Sequence, residues 1–220
     1  MWFPLVGLAL GGVLLGFDLI LAPVLPAAPR MALVLLLLAL LTRFIHIDGL
    51  MDTFDGAFAI GSREERLAMM RDPRVGAFGV GGGVLVLLAK YALLAAMPDI
   101  LRSAALVLTP SAGRWAATQA ISLWPYARAE GLGSGYAPVS RAAVLAVSTL
   151  LALASAYLLA GWDGLIAAGI ATLAGAVVSG FLYSRFGGLT GDSYGAIVEI
   201  GEVACVASLL GAVTLTATGV

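Results

Sequence analysis

The chain has 220 residues, 61% of them hydrophobic and only 11% charged, with a formal net charge of −1, and its mean hydropathy is +1.03. This composition excludes an ordinary soluble domain, and the absence of a basic run excludes a nucleic-acid footprint. A single cysteine, Cys205, excludes an intrachain disulfide.

The pattern predicts an all-α, polytopic membrane protein that forms one domain over residues 1–220. A hydrocarbon core of about 30 Å takes about 20 apolar residues per helix, and seven such stretches occur, near 3–23, 32–55, 77–96, 101–123, 141–161, 163–184 and 195–217. No polar segment between them is long enough to bury a core of its own. If the spans alternate, Arg63, Arg66, Arg71, Arg74, Arg128, Arg141 and Arg185 fall on one side, with little beyond Arg30 and Arg102 on the other. The arginine-rich side is expected to be cytoplasmic, with the N-terminus inside and the C-terminus outside. The opening stretch from Trp2 has no basic leader and no cleavage site, so it reads as a retained span.

The second span starts after Pro29 and Arg30 and, if helical to Ala59, runs about 43 Å, longer than the bilayer is thick. Its last turns read His46-Ile-Asp-Gly-Leu-Met-Asp-Thr-Phe-Asp-Gly56. Asp48, Asp52 and Asp55 stand at i, i+4 and i+7, so on a helix they fall within roughly 60° of one another. Like charges on one face repel unless a cation lies between them, and hard carboxylate oxygens favour a divalent metal. A solvated helix end usually mixes acids with Lys and Arg; this face is purely acidic, which favours metal binding. Gly49 and Gly56 let a phosphate or another helix approach the backbone closely. His46, the only histidine, points to a different face and is open to a catalytic role or a packing role.

Ser62-Arg-Glu-Glu65 has capping-box spacing and predicts a short amphipathic cytoplasmic helix ending before Pro73. Its arginines, with Arg71 and Arg74, bring positive charge beside the acids. Carboxylate-bound Mg²⁺ next to guanidinium groups is the arrangement a diphosphate needs. Gly81 to Gly83 suit tight helix packing, and Lys90 lies mid-span, where it snorkels or pairs with an acid outside the site. Arg114 sits in the latter half of the fourth span, and Arg128 and Glu130 precede a Gly131-Leu-Gly133-Ser-Gly135 turn. Asp192 suits a helix N-terminus, whereas Glu199 and Glu202, on the same helix, are intramembrane acids and functional candidates.

Four stretches, His46 to Gly56, Met70-Arg-Asp-Pro-Arg-Val-Gly76-Ala-Phe-Gly79, Tyr126-Ala-Arg-Ala-Glu-Gly-Leu-Gly133 and Gly187-Gly-Leu-Thr-Gly-Asp192, resemble in order the motifs of the cobalamin synthase, or adenosylcobinamide-GDP ribazoletransferase, family. The resemblance runs from Phe3-Pro4-Leu-Val-Gly7 to Glu202, and family members usually carry a further segment ahead of Phe3. It implies a Mg²⁺-dependent enzyme of the inner membrane that joins α-ribazole, or its 5′-phosphate, to adenosylcobinamide-GDP and releases GMP. On that expectation Asp48, Asp52, Asp55 and Asp192 hold metal and, with His46, form the catalytic set. Arg71, Arg74, Arg114, Arg128, Glu130, Gly131 and Gly133 are the substrate- and phosphate-binding candidates. The implied partners are a nucleotide-activated corrinoid, α-ribazole and membrane lipid, and a homo-oligomer is left open.

A partial likeness to the CDP-alcohol phosphotransferases rests on Asp52-Thr-Phe-Asp55-Gly-Ala-Phe-Ala59, with Ile60 where that signature has arginine. The second acidic pair of that signature is absent, and Asp72 or Asp192 stands as its replacement. A cation-coupled transporter using Asp48, Asp192 and Glu199 is the rival reading. It requires acids near the midplane and an inverted repeat; no repeat is visible, and the acids gather at one face.

Overall fold

The structure is a computed structural model that describes residues 1–128 and 140–218, with side chains described as far as residue 215. Eight helices account for nearly all of it: α1 (Phe3–Leu21), α2 (Ala27–Leu41), α3 (Ile45–Phe58), α4 (Arg63–Met69), α5 (Ala77–Ala96), α6 (Asp99–Leu123), α7 (Arg141–Phe186) and α8 (Gly191–Thr218). The all-α expectation holds among the described residues, whose one bridge outside the helices is a parallel pairing of Tyr126 with Leu189. In lipid, helices are the form in which isolated segments satisfy their own backbone groups.

Four helices, α1, α5, α7 and α8, are each long and apolar enough to cross a membrane, and α2 with α3 makes a fifth candidate as a bent pair. The chain is a multi-pass membrane protein. The sequence-based count of seven is not reached by this measure. The expected spans at 141–161 and 163–184 merge into α7, which leaves helical geometry only at Ala160 and Gly161, the latter with φ 56°. The expected fourth span is α6, in which Arg102 and Arg114 interrupt the apolar run.

The second span departs most from expectation. It is not one helix: α2 and α3 meet at 87°. Thr42 Oγ1 donates to the Leu38 carbonyl at 2.9 Å, and the Phe44 amide donates back to the Ala39 carbonyl at 2.7 Å. Arg43 and Phe44 adopt φ of 52° and 59°. Left-handed backbone at a non-glycine residue costs roughly 1–3 kcal/mol and persists only where the surroundings impose it. Here the surroundings are α8 and α5, between which α3 is packed.

Glycines set the helix spacing. A Cβ at Gly7 would lie 2.5 Å from Ser111 Cα and one at Gly11 2.5 Å from Val107 Cα, so α1 lies directly on the α6 backbone. The expected packing role of Gly81 to Gly83 is met by two of the three: Phe54 covers Gly82 and Met51 covers Gly83, while Gly81 faces open space. A large apolar core surrounds Met31, Val34, Leu106 and Leu108. A smaller cluster of Ala57, Met70, Phe186, Leu189 and Ile197 ties α3 to α4, α7 and α8. The capping box forms as expected, with Glu65 N donating to Ser62 Oγ at 3.2 Å and Ser62 N to Glu65 Oε2 at 2.7 Å.

Gly7→Val should force α1 away from α6 and cost roughly 1–3 kcal/mol, the usual scale of overpacking. Gly12→Val, whose side chain would enter open space, should leave the melting temperature in detergent unchanged. Equal losses from the two substitutions would refute glycine-set spacing.

Candidate active site

Three of the four motif stretches are joined by backbone contacts around one end of α3. Leu189 N donates to the Pro125 carbonyl and Ala127 N to the Leu189 carbonyl, both at 2.8 Å. A Cβ at Gly188 would lie 2.8 Å from both Ala127 N and Pro125 O, so only glycine admits this contact. The bridge sets Arg128 beside the start of α8. There Thr190 and Ser193 exchange backbone-to-hydroxyl bonds of 3.1 Å, fixing the first turn that carries Asp192. Arg128 Nη2 lies 3.2 Å from Asp192 Oδ2.

The α3 face meets this corner through Gly49, at which a Cβ would lie 2.8 Å from the Asp192 carbonyl. That contact brings the Asp48 and Asp52 turn alongside Asp192. Asp48 is exposed and Asp52 is half-buried. The charge on Asp52 is opposed first by burial and then by Asp48, Asp192 and Asp55, and favoured by Arg128 alone. Asp48, Asp52 and Asp192 against Arg128 leave two negative charges without a cationic partner among the described residues. This is the excess that a divalent cation neutralises.

Asp55 shares the face but not the role. Its Oδ2 accepts from Gly76 N at 2.7 Å, and its Oδ1 accepts from Gly79 N at 2.8 Å. The carboxylate therefore caps the N-terminus of α5, a favourable place for an anion. Gly76 and Gly79 must be glycine for this, because a Cβ at either would overlap the carboxylate.

Among the described residues no three His, Cys, Asp or Glu side chains gather closely enough to cage an ion. Mg²⁺ does not require a cage, since it usually binds through one or two carboxylates together with water and substrate phosphate. Asp48 and Asp52, one helical turn apart, with Asp192 across from them, fit that form of binding.

The arginines divide by partner. Arg66 donates to the Ala57 carbonyl at 2.9 Å, and Arg63 donates to the Ala127 carbonyl at 3.3 Å; both brace α4 under the site. Arg74 is bound to Asp72 through Nη2 at 2.8 Å, which holds Asp72 down at about pKa 2. Asp72 is thus paired rather than serving as a second acidic pair. Arg71 is exposed and has no partner among the described residues. Arg114 faces away from the aspartates: Nη1 is 2.9 Å from Glu202 Oε1 and Nη2 is 3.4 Å from His46 Nδ1. Glu130, Gly131 and Gly133 lie outside the described residues. Lys90 lies outside the aspartate cluster and takes the second of its two expected roles, pairing with acids rather than snorkelling: Glu199 at 2.5 Å and Glu202 at 2.7 Å.

Asp55→Asn keeps one acceptor and turns an amide NH₂ toward a backbone N–H. The loss of one charge-assisted bond, about 1.5–3 kcal/mol, should lower the melting temperature even with a chelator present. An unchanged melting temperature without metal would show that Asp55 does not act as a cap.

The model of the family described as cobalamin-5-phosphate synthase matches residues 1–210. An adenosylcobinamide-GDP ribazoletransferase of Geotalea daltonii is 38% identical over 210 residues, covering 95% of this chain and 84% of that protein. One of Roseiflexus sp. is 36% identical over 208 residues, covering 94% and 77%, and one of Desulfitobacterium hafniense is 37% identical over 207 residues, covering 92% and 82%. No solved structure matches the chain. With four motif stretches in register and a family match over almost its whole length, the chain belongs to the cobalamin-5-phosphate synthase family.

Proposed function

We propose that this chain, as an enzyme of cobalamin biosynthesis, transfers the cobinamide phosphate of adenosylcobinamide-GDP to α-ribazole or α-ribazole 5′-phosphate. The observation that carries the reading is the unbalanced cluster of Asp48, Asp52 and Asp192 beside Arg128, built where three of the motif stretches meet. The substrate names come from the relatives.

In the reaction a ribose hydroxyl forms a new bond to the cobinamide-side phosphorus, the phosphoanhydride bond breaks, and GMP departs with its electron pair. Mg²⁺, held by Asp48, Asp52 and Asp192, would neutralise diphosphate oxygens and the charge growing on the leaving phosphate. Arg128, partly held by Asp192, supplies guanidinium donors to the same oxygens, and Arg71, exposed and without a partner among the described residues, is the second contact. Arg74 joins only by giving up Asp72. A carboxylate oxygen of the cluster that the metal leaves free takes the proton from the attacking hydroxyl. His46 is poorly suited to accept that proton. A guanidinium only donates, so Nδ1 accepts from Arg114 and the ring proton stays on Nε2.

The reading places the site on the cytoplasmic side of the inner membrane, with the N-terminus inside and the C-terminus outside. The arginine asymmetry supports this orientation. Seven crossings follow if α6 and the two halves of α7, about 69 Å long in total, each count as spans. The cation-coupled transporter is disfavoured, because Glu199 and Glu202 are already matched by Lys90 and Arg114.

The test is GMP release by purified protein supplied with Mg²⁺, adenosylcobinamide-GDP and α-ribazole. Chelation should stop turnover and added Mg²⁺ restore it. Asp48→Asn and Asp52→Asn should each lower kcat at least about a hundredfold, the scale of losing a charge-stabilising group, while the protein stays membrane-inserted. Near-normal turnover in both variants would sink the metal assignment.

A further inference from the structure

The structure contains a second charged group, deeper than the aspartates and separate from them. Lys90, Glu199, Glu202 and Arg114 are exposed by only 1%, 4%, 1% and 5%. Lys90 Nζ binds Glu199 Oε2 at 2.5 Å and Glu202 Oε2 at 2.7 Å, and Arg114 Nη1 binds Glu202 Oε1 at 2.9 Å. Two cations face two anions, so the group is neutral as a whole. It joins α5, α6 and α8. Burying four charges is a poor way to gain stability, since a well-packed apolar replacement is often as stable or more so. The group therefore calls for a role other than stability.

Arg114 supplies the connection. Its Nη1 also donates to the Pro110 carbonyl at 3.0 Å, and its Nη2 reaches His46 Nδ1 at 3.4 Å. His46 is the second residue of α3, two residues after Phe44 of the left-handed pair Arg43 and Phe44, and a Cβ at Gly195 would lie 3.0 Å from its carbonyl. The start of α3 is thus strained on one side and fixed on the other by α8 and Arg114. Gly113 lets α8 come close enough for this, as a Cβ there would lie 2.7 Å from Glu202 Cγ. A phosphate could reach Arg114 only by displacing Glu202 or His46.

We propose that Arg114 is a positioning residue for the transfer reaction: locked by Glu202 and the Lys90–Glu199 pair, it sets His46 and thereby the turn of α3 that carries Asp48 and Asp52. The proposal rests on the transferase reading above. Arg114 touches no substrate, and its effect on the reaction passes through the placement of α3.

The experiment measures kcat, KM for adenosylcobinamide-GDP and melting temperature of the full chain in lipid nanodiscs. Arg114→Lys keeps the charge opposite Glu202 but cannot also reach His46. It should lower kcat at least about tenfold, the scale of small misplacements of reacting groups, with KM within about twofold. Among the histidine variants, His46→Asn, whose Oδ1 replaces Nδ1 as acceptor, should lose less kcat than His46→Gln, whose amide sits at the Nε2 position. The double variant Arg114→Lys with His46→Gln should be no slower than the worse single variant, because both break one link. A tenfold rise in KM with kcat retained would make Arg114 a phosphate ligand and overturn the proposal. So would a double variant whose losses multiply, or an Asn variant slower than the Gln variant. If Arg114→Lys does not fold, the order of the two His46 variants decides the matter alone. Wild-type protein that releases no GMP would instead refute the transferase reading.

Discussion

The site depends on how closely α3 lies against its neighbours. Gly49 and Gly195 remove side chains between α3 and α8, and Gly82 and Gly83 do the same between α3 and α5. Those contacts hold a helix whose entry is strained at Arg43 and Phe44 and turned by 87° from α2. Helices in lipid gain little from apolar burial against one another, so close backbone packing through small residues supplies much of the attraction. The same packing decides which way each aspartate points: Asp55 into the amides of α5, and Asp48 and Asp52 toward Asp192.

The charges fall into two groups with opposite logic. Inside, they balance: Lys90 and Arg114 against Glu199 and Glu202, and Arg30 with Asp18 at 3.0 Å between α1 and α2. An unmatched charge in a low-dielectric interior costs too much to persist. Around Asp52 they do not balance, and acids exceed their single arginine. Such an excess is tolerated only where water or a bound cation can reach it. The contrast separates the group that holds the helices in place from the group proposed to meet substrate.

Several features were legible in the residues alone. The capping box at Ser62 formed because it needs only contacts three residues apart, and the acidic face of α3 follows from helical periodicity. The glycine-set packing along α5 was readable in kind, though not which of Gly81, Gly82 and Gly83 would face a neighbour. The break after Leu41 was not readable. Thr42-Arg43-Phe44 contains neither glycine nor proline, and the left-handed turn there is imposed by packing rather than local preference. The arginines were legible as a one-sided group but not as individuals, because partner choice depends on contacts such as Arg63 with Ala127 and Arg114 with Glu202.

By itself the sequence determined that the chain is helical, lies in a membrane and carries an acidic helix face in a recognisable set of motifs. Those properties depend on composition and on spacing along a single helix. Only the tertiary structure decided that one of the three clustered aspartates caps α5 and that Lys90 belongs to a neutral quartet. It also turned Arg114 toward His46 rather than toward the aspartates. The reason is physical: a carboxylate or guanidinium has the same chemistry wherever it stands, and its role follows from which donor, acceptor or countercharge the folded helices bring within about 3 Å of it.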